Sequence, residues 1–235
     1  MAFQLPPIEV AAIQSAVLNA VANLLAQFIA AYRNETPLVI DWVPVFQFAI
    51  FNFLNTHPNI LWQEFLESTW PAYHASPTTE AVASASKGDE KELEKEAQEG
   101  RLVEPKLNIT NTLIKTVMDQ IFGAAFNTIV FSLFIHGVQQ AMPRHLGSPL
   151  STPDQSANYL LALAKGAIRT SSVDWDTVKA KTAADFWPMI FAGWKVWPIV
   201  SLVNFAFIKT VTGRNLLGSL AGMGWGIYLS LIAGQ

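Results

Sequence analysis

The sequence has no cysteine and few charges: 14% of its 235 residues are Asp, Glu, Lys or Arg, against 51% hydrophobic. An ordinary globular domain carries about a quarter charged residues. Without cysteine there is no thiol nucleophile, no thiolate or iron–sulfur ligation and no disulfide framework. The net charge of −3 offers no basic excess for a nucleic-acid surface, and the apolar content is too high for a disordered chain. Catalytic signatures are missing as well. There is no phosphate loop of the G-x-x-x-x-G-K-[ST] type, no G-x-G-x-x-G after a strand, no H-E-x-x-H and no G-x-S-x-G. The four histidines show no H-x-x-x-H spacing. The expectation is a chain that is not an enzyme, holds no metal or cofactor and binds no nucleic acid.

The charges that do exist are unevenly placed. Residues 80–104 hold eight of the eighteen acids and four of the fifteen bases, so the acidic balance belongs to that segment. Elsewhere the windows 10–32, 42–63, 120–143 and 215–235 contain no Asp, Glu, Lys or Arg, and 186–208 is interrupted only by Lys195. About 20 apolar residues in a helix cross a hydrocarbon core of about 30 Å. A soluble bundle would need charged outer faces at helical spacing, and these windows have none. The fold class expected is therefore all-α, a polytopic transmembrane helix bundle of four to five apolar helices with an acidic solvent-exposed insert. Its divisions are 1–75 (two membrane helices), 76–106 (acidic loop) and 107–235 (C-terminal membrane helices). Residues 1–7 lack a basic region and Glu9 precedes the apolar run, so no secretory signal is expected.

The first helix is read over 8–32. Ser15, Asn19, Asn23 and Gln27 recur every four residues along it, and steps of four on a helix drift by about 40°, giving a polar stripe of about 120°. Facing lipid, that stripe would leave hydrogen-bonding groups unpaired, so it must meet other helices or water. Two uses stay open: bonds between helices, or the lining of a pore. A second, aromatic-rich helix is read from Trp42, with Asp41 as its cap, to Phe53. The turn Thr56-His57-Pro58-Asn59 is expected to end it before a short piece, Ile60 to Phe65. The longest helical signal covers 107–140, with Asp119, Gln120 and Asn127 grouped near its start and His136 further along. His136 is read as a hydrogen-bonded membrane histidine ahead of a ligand or proton relay.

Residues 88–96, rich in Glu and Lys, read as a solvated helix or arm rather than a catalytic acid cluster. The 141–185 stretch, with Pro143, Pro149, Pro153 and an amphipathic run at 156–169, reads as aqueous or interfacial. Trp187-Pro188 and Trp197-Pro198, with Trp194 between, read as an interfacial aromatic belt beside a bent helix. Gly218, Gly222, Gly226, Ser230 and Gly234 recur every four residues, a ridge suited to close helix–helix packing.

Trp194-Lys195-Val196-Trp197-Pro198, then Asn204-Phe205, Arg214, and Trp225 with Tyr228-Leu229-Ser230, resemble the signature of the Mpv-seventeen / twenty-two-kilodalton peroxisomal membrane protein family. Lys115 with Asp119-Gln120, and Asn23 followed by Leu24-Leu25-Ala26-Gln27, resemble its third-span and first-span motifs. The sequence departs from the family pattern at Ser201, where Gln is frequent, and at Lys209, where Pro is common. It also lacks the proline usual after Asp-Gln. The resemblance implies a small multi-pass protein of a peroxisomal or mitochondrial inner membrane, of a kind thought to form channels for small hydrophilic solutes or to serve organelle homeostasis. The candidate pore-lining set is Ser15, Asn19, Asn23, Gln27, Asp119, Gln120, Asn127 and His136. Expected partners are the lipid bilayer and small hydrophilic solutes, with a homo-oligomer left open. The rival is a non-conducting scaffold whose acidic loop recruits a soluble factor.

Overall fold

The computed structural model describes residues 5–142, 157, 160, 161 and 169–233, with the backbone alone at 226 and 228–233. Helix α1 (Pro7–Arg33) begins with a proline in its first turn, where the missing N–H is no loss. It turns back at Asn34–Glu35 into α2 (Trp42–Thr69), whose first turn is capped by Asp41 accepting from the Val43 amide at 3.0 Å. Ala11, Ala12 and Ala22 are the buried apolar residues of α1. Their small side chains let α2 and the last helix pack along it.

Pro58 does not end α2, against the turn expected at Thr56–Asn59. The helix runs through it to Thr69. Asn52, Thr56 and His57 each bond back to the carbonyl four residues earlier, and α2 packs along α1. Neighbouring helices and polar side chains of this kind are what make an interior proline tolerable in apolar surroundings.

Strands β1 (Tyr73–Pro77) and β2 (Val103–Leu107) then pair antiparallel, with Tyr73 opposite Leu107. They enclose two short helices, α3 (Thr79–Lys87) and α4 (Glu90–Gln98), capped by Thr78 and Asp89. The acidic segment is thus a hairpin-based outgrowth. Gly88 and Gly100, both at φ +68°, sit in the left-handed turns that end its helices. Tyr73 ties it to the bundle by donating to the Ala206 carbonyl at 2.7 Å.

Helix α5 (Ile109–Met118) passes through a π-helical segment, Asp119–Gly123, into α6 (Ala124–Ala141). Helix α7 (Trp175–Gly193) packs on α6 and turns through 59° into α8 (Trp197–Phe207), which packs on α5. Helix α9 (Val211–Ala233) returns along α1. Pro143, Pro149, Pro153 and most of the 156–169 stretch lie outside the described residues.

Polarity in this bundle is inverted relative to a soluble fold. On α1, Ile13, Val17, Val21 and Phe28 are exposed while Ser15 is buried. On the α5–α6 run, Ile121, Phe122, Phe126 and Ile129 face outward while Ser132 is 1% exposed. Large apolar surfaces of that extent need a non-aqueous neighbour, and the lipid bilayer supplies it. Among the described residues two helices, Pro7–Arg33 and Ile109–Ala141, are long and apolar enough to cross a membrane, or three if the bent α7–α8 pair makes one span. The four to five expected include the 215–235 window, which lies partly outside the described residues. The 42–63 window falls short because Gln47, Asn52, Asn55, His57 and Asn59 dilute α2.

Candidate functional site

The inward polar side chains meet at the α5–α6 junction. Asp119 Oδ1 accepts from the Trp62 indole at 3.1 Å, and Oδ2 accepts from Ser201 Oγ at 2.5 Å and Gln120 Nε2 at 3.4 Å. Three helices are thereby joined through one carboxylate. Ser201, where the sequence departs from the pattern it resembles, is one of the three donors. Gly123 makes the arrangement sterically possible: a Cβ there would lie 2.8 Å from both Asp119 Oδ1 and Trp62 Nε1.

A second chain of contacts joins α1, α2 and α9. Ser15 Oγ lies 2.9 Å from Ser219 Oγ, Asn215 Nδ2 donates to Ser15 Oγ at 2.9 Å, and Asn59 Nδ2 donates to Asn215 Oδ1 at 3.3 Å. A third joins α2 to α6, where Asn55 Nδ2 donates to Asn127 Oδ1 at 2.9 Å and Asn127 Nδ2 to the Gly123 carbonyl at 3.0 Å. Between these chains lies a cavity of about 590 Å³. Several buried polar atoms on its wall have no protein partner, among them Asn55 Oδ1, Gln120 Oε1 and Asn204 Oδ1. Each of these amides is held in orientation by its own N–H bond. The free oxygens are enclosed by neighbouring atoms rather than open to the cavity.

Of the eight candidate lining residues, Ser15, Asn19, Asn23, Asp119, Gln120 and Asn127 border this cavity. Gln27 and His136 do not. Gln27 grips the Asp41 backbone, donating to its carbonyl at 2.8 Å and accepting from its amide at 2.7 Å; it clamps the α1–α2 turn. His136 Nε2 lies 2.7 Å from Asp185 Oδ2, joining α6 to α7 on another face. Asp185, at the end of the stretch read as aqueous or interfacial, is its partner.

Sequence reasoning missed the α2 wall, formed by Asn52, Asn55, Thr56, Asn59 and Gln63. Their helical spacing was present, and a turn placed at Thr56–Asn59 hid it. The glycine ridge also behaves differently from the close packing expected. A Cβ at Gly218 would meet nothing within 4 Å, and one at Gly222 would meet only the Trp197 ring at 3.8 Å. Both glycines face the cavity and widen it. The surroundings of Gly226 and the side chains of Tyr228 and Ser230 lie outside the described residues.

The signature residues have distinct places. Trp194, Trp197 and Trp225 border the cavity, and Pro198 lies in the first turn of α8. Asn204 Nδ2 donates to the Arg214 carbonyl at 3.3 Å. Beside the cavity, Glu67 Oε2 lies 2.6 Å from both Lys115 Nζ and Arg214 Nη1, while Oε1 accepts from the Ala72 amide at 2.8 Å. Phe205 fills the centre, 4.9 Å from Lys115 Nζ and 5.3 Å from the Arg214 guanidinium carbon. Lys115 is 0% and Arg214 2% exposed, so neither charge has water to fall back on.

An inside-out helix bundle, with amides and hydroxyls among the apolar residues of its interior cavity, defines a membrane protein. Comparison with known proteins sharpens this. Residues 169–230 match the model of the Mpv17 / PMP22 family. A PXMP2/4 family protein 3 of Dictyostelium discoideum is 49% identical over 49 residues, 21% of this chain and 26% of its own. Protein sym-1 of Neurospora crassa is 36% identical over 58 residues, 25% of this chain and 33% of its own. Protein SYM1 of Gibberella zeae is 31% identical over 65 residues, 28% and 37% of the two chains. The likeness to the Mpv17 / PMP22 family lies in the C-terminal segment. The matched segments span about a quarter to a third of the curated relatives' own length. No solved structure matches the chain.

Proposed function

We propose that this protein forms an aqueous channel through which small hydrophilic solutes diffuse across an organelle membrane, peroxisomal or mitochondrial inner. The observation that carries the proposal is the cavity of about 590 Å³ lined by oriented amides inside an apolar shell. Asn19, Asn23, Asn52, Asn55, Asn59 and Asn127 reach its wall from α1, α2 and α6. The match of residues 169–230 to the Mpv17 / PMP22 family supports a channel-like membrane role. Passage is passive on this reading, and no chemical step is assigned to any residue. The lining provides fixed dipoles and hydroxyls that stand in for part of a solute's hydration.

The test is reconstitution into liposomes with flux of neutral polyols of graded size. Flux that is protein-dependent and cut off by size supports the channel. Vesicles as tight as protein-free ones to every solute would remove it. Imaging of a tagged chain against peroxisomal and mitochondrial markers decides the compartment.

A further inference from the structure

Helices α1 and α9 both run against α2. Glu9 meets His57 and Gln27 meets Asp41 along α1, while Arg214 meets Glu67 and Asn215 meets Asn59 along α9. The two are therefore parallel, and the Ser15–Ser219 contact at 2.9 Å fixes their register. One turn further on, Asn19 comes to the depth of Gly222. Helices α7 and α8 pack on α6 and α5, so the Trp197 indole meets the cavity from the side away from the α1–α2 pair. A Cβ at Gly193 of α7 would lie 3.1 Å from its Cδ1, and one at Gly222 would lie 3.8 Å from its Cη2. The ring thus bridges α7 and α9 where glycine leaves the cavity wide. Across from it, Asn19 Nδ2 donates to the Ser15 carbonyl at 3.0 Å and Asn52 Nδ2 to the Phe48 carbonyl at 2.9 Å. Each amide is anchored through its nitrogen, which fixes its oxygen in place. Neither oxygen has a partner among the described residues, and neither is enclosed as the Asn55 oxygen is.

An aromatic plane facing fixed acceptors suits a molecule that is apolar on its faces and hydroxylated at its edge. The electron-rich face of an indole attracts C–H groups, and the amide oxygens accept from hydroxyls. We propose that this stretch of the cavity is a subsite for a cyclic polyol or the pyranose form of a sugar. The ring lies on Trp197 and donates hydroxyls to Asn19 Oδ1 and Asn52 Oδ1. An open-chain polyol has the hydroxyls but no flat C–H face, and gains less. The inference deepens the channel reading and rests on it for its consequence in transport, but the binding itself does not.

The experiment has two arms. Vesicles containing the full chain take up myo-inositol or mannitol, equal in hydroxyl number and close in size, the one a ring and the other a chain. Erythritol flux in the same vesicles is the reference. Saturable binding of radiolabelled myo-inositol to the detergent-solubilised protein is measured in parallel. The variants are Trp197→Leu, which removes the aromatic plane, Trp197→Phe, which keeps one, and Asn19→Ala, which removes an acceptor. Trp187→Leu, at an exposed tryptophan off the cavity wall, is the control. Wild type is expected to pass inositol several-fold faster than mannitol. That preference is lost in Trp197→Leu, reduced in Asn19→Ala, and kept in Trp197→Phe and Trp187→Leu; inositol binding weakens in the same order. Where Trp197→Leu fails to fold, Asn19→Ala carries the comparison. Equal rates for ring and chain in wild type, or a preference that neither Trp197→Leu nor Asn19→Ala changes, would overturn the subsite and leave the channel standing. If erythritol does not pass in wild type, the channel reading fails by itself. The subsite then stands on saturable inositol binding weakened by Trp197→Leu and Asn19→Ala, and is overturned by its absence.

Discussion

The bundle interior and the hairpin outgrowth are both rich in polar residues, and they use them in opposite ways. In the outgrowth, charged side chains other than the buried Glu96 lie outward: the Lys95–Glu92 pair at 3.2 Å leaves both partners about half exposed. Such exposed pairs contribute about 0–1 kcal/mol. In the bundle the polar residues are mostly uncharged amides and hydroxyls, turned inward and bonded helix to helix, as in Asn55 to Asn127. The few buried charges converge on Glu67 or Asp119. Polarity therefore decides little by amount. Where it is desolvated, each group must be partnered, and each partner becomes hard to replace.

The steepest test of that contrast sets Glu67→Ala against Glu92→Ala. Loss of Glu67 leaves Lys115 and Arg214 buried without their carboxylate, and breaking a buried pair of this kind costs about 3–5 kcal/mol. Loss of Glu92 is expected to change stability by under about 1 kcal/mol. Unfolding of the solubilised proteins under graded denaturant measures both.

Next comes Gly123→Ala. The added carbon would lie 2.8 Å from Asp119 Oδ1 and Trp62 Nε1, an overpacking expected to cost about 1–3 kcal/mol. A substitution at Gly224, where nothing lies within 4 Å, is the matched control for the same readout.

Transport separates the two regions in a different way. Asn127→Leu replaces a wall amide by an apolar side chain and leaves Asn55 Nδ2 without its acceptor. Polyol flux in vesicles is expected to drop by about tenfold or more, which corresponds to a barrier increase of about 1.4 kcal/mol. Joining Pro77 to Val103, which face each other across the ribbon, by a short turn removes α3 and α4. That deletion should leave flux within a factor of about two, since neither helix borders the cavity. A matching fall in flux would show that the outgrowth belongs to the path.

The smallest effect lies at the start of α7. Asp174, fully exposed, caps that helix, and the Thr177 hydroxyl bonded to it at 2.6 Å, with the Thr177 and Asp176 amides, holds its carboxyl below the usual carboxylate range. A depressed value in the folded state means that the cap contributes fully above the ordinary carboxylate range and is lost as pH falls through the lowered value. Amide exchange at Asp176 and Thr177 should quicken in that acid window, and quicken at neutral pH in Asp174→Ala.

Much of the bundle was legible because the membrane imposes a simple rule, that apolar faces turn outward. The stripe Ser15, Asn19, Asn23 could be placed inward from its four-residue spacing alone. Helix α2 could not be placed in the same way, because Pro58 carries a strong local stop signal that packing against α1 overrides. The partners of His136 and Lys115 were unreadable too. Asp185 and Glu67 lie 49 and 48 residues away in sequence, and nothing local selects them. The ribbon pairing Tyr73 with Leu107 was likewise invisible, since it spans the whole charged segment.

The π-helical segment at Asp119–Gly123 bears on how this chain tolerates insertion and deletion. On an ordinary helix a four-residue repeat slides around the axis by about 40° at each step. A turn closed by i to i+5 bonds absorbs that slip, so Asp119, Gly123 and Asn127 all reach the same wall. The π-turn holds one residue more than the α-helical turn it replaces, so losing one of these five lets the turn close with i to i+4 bonds and leaves α6 near its present orientation on α5. A residue lost from the eighteen of α6 itself finds no such slack, and the helix beyond it would swing by about 100°. The segment is where this long helix absorbs a change of length.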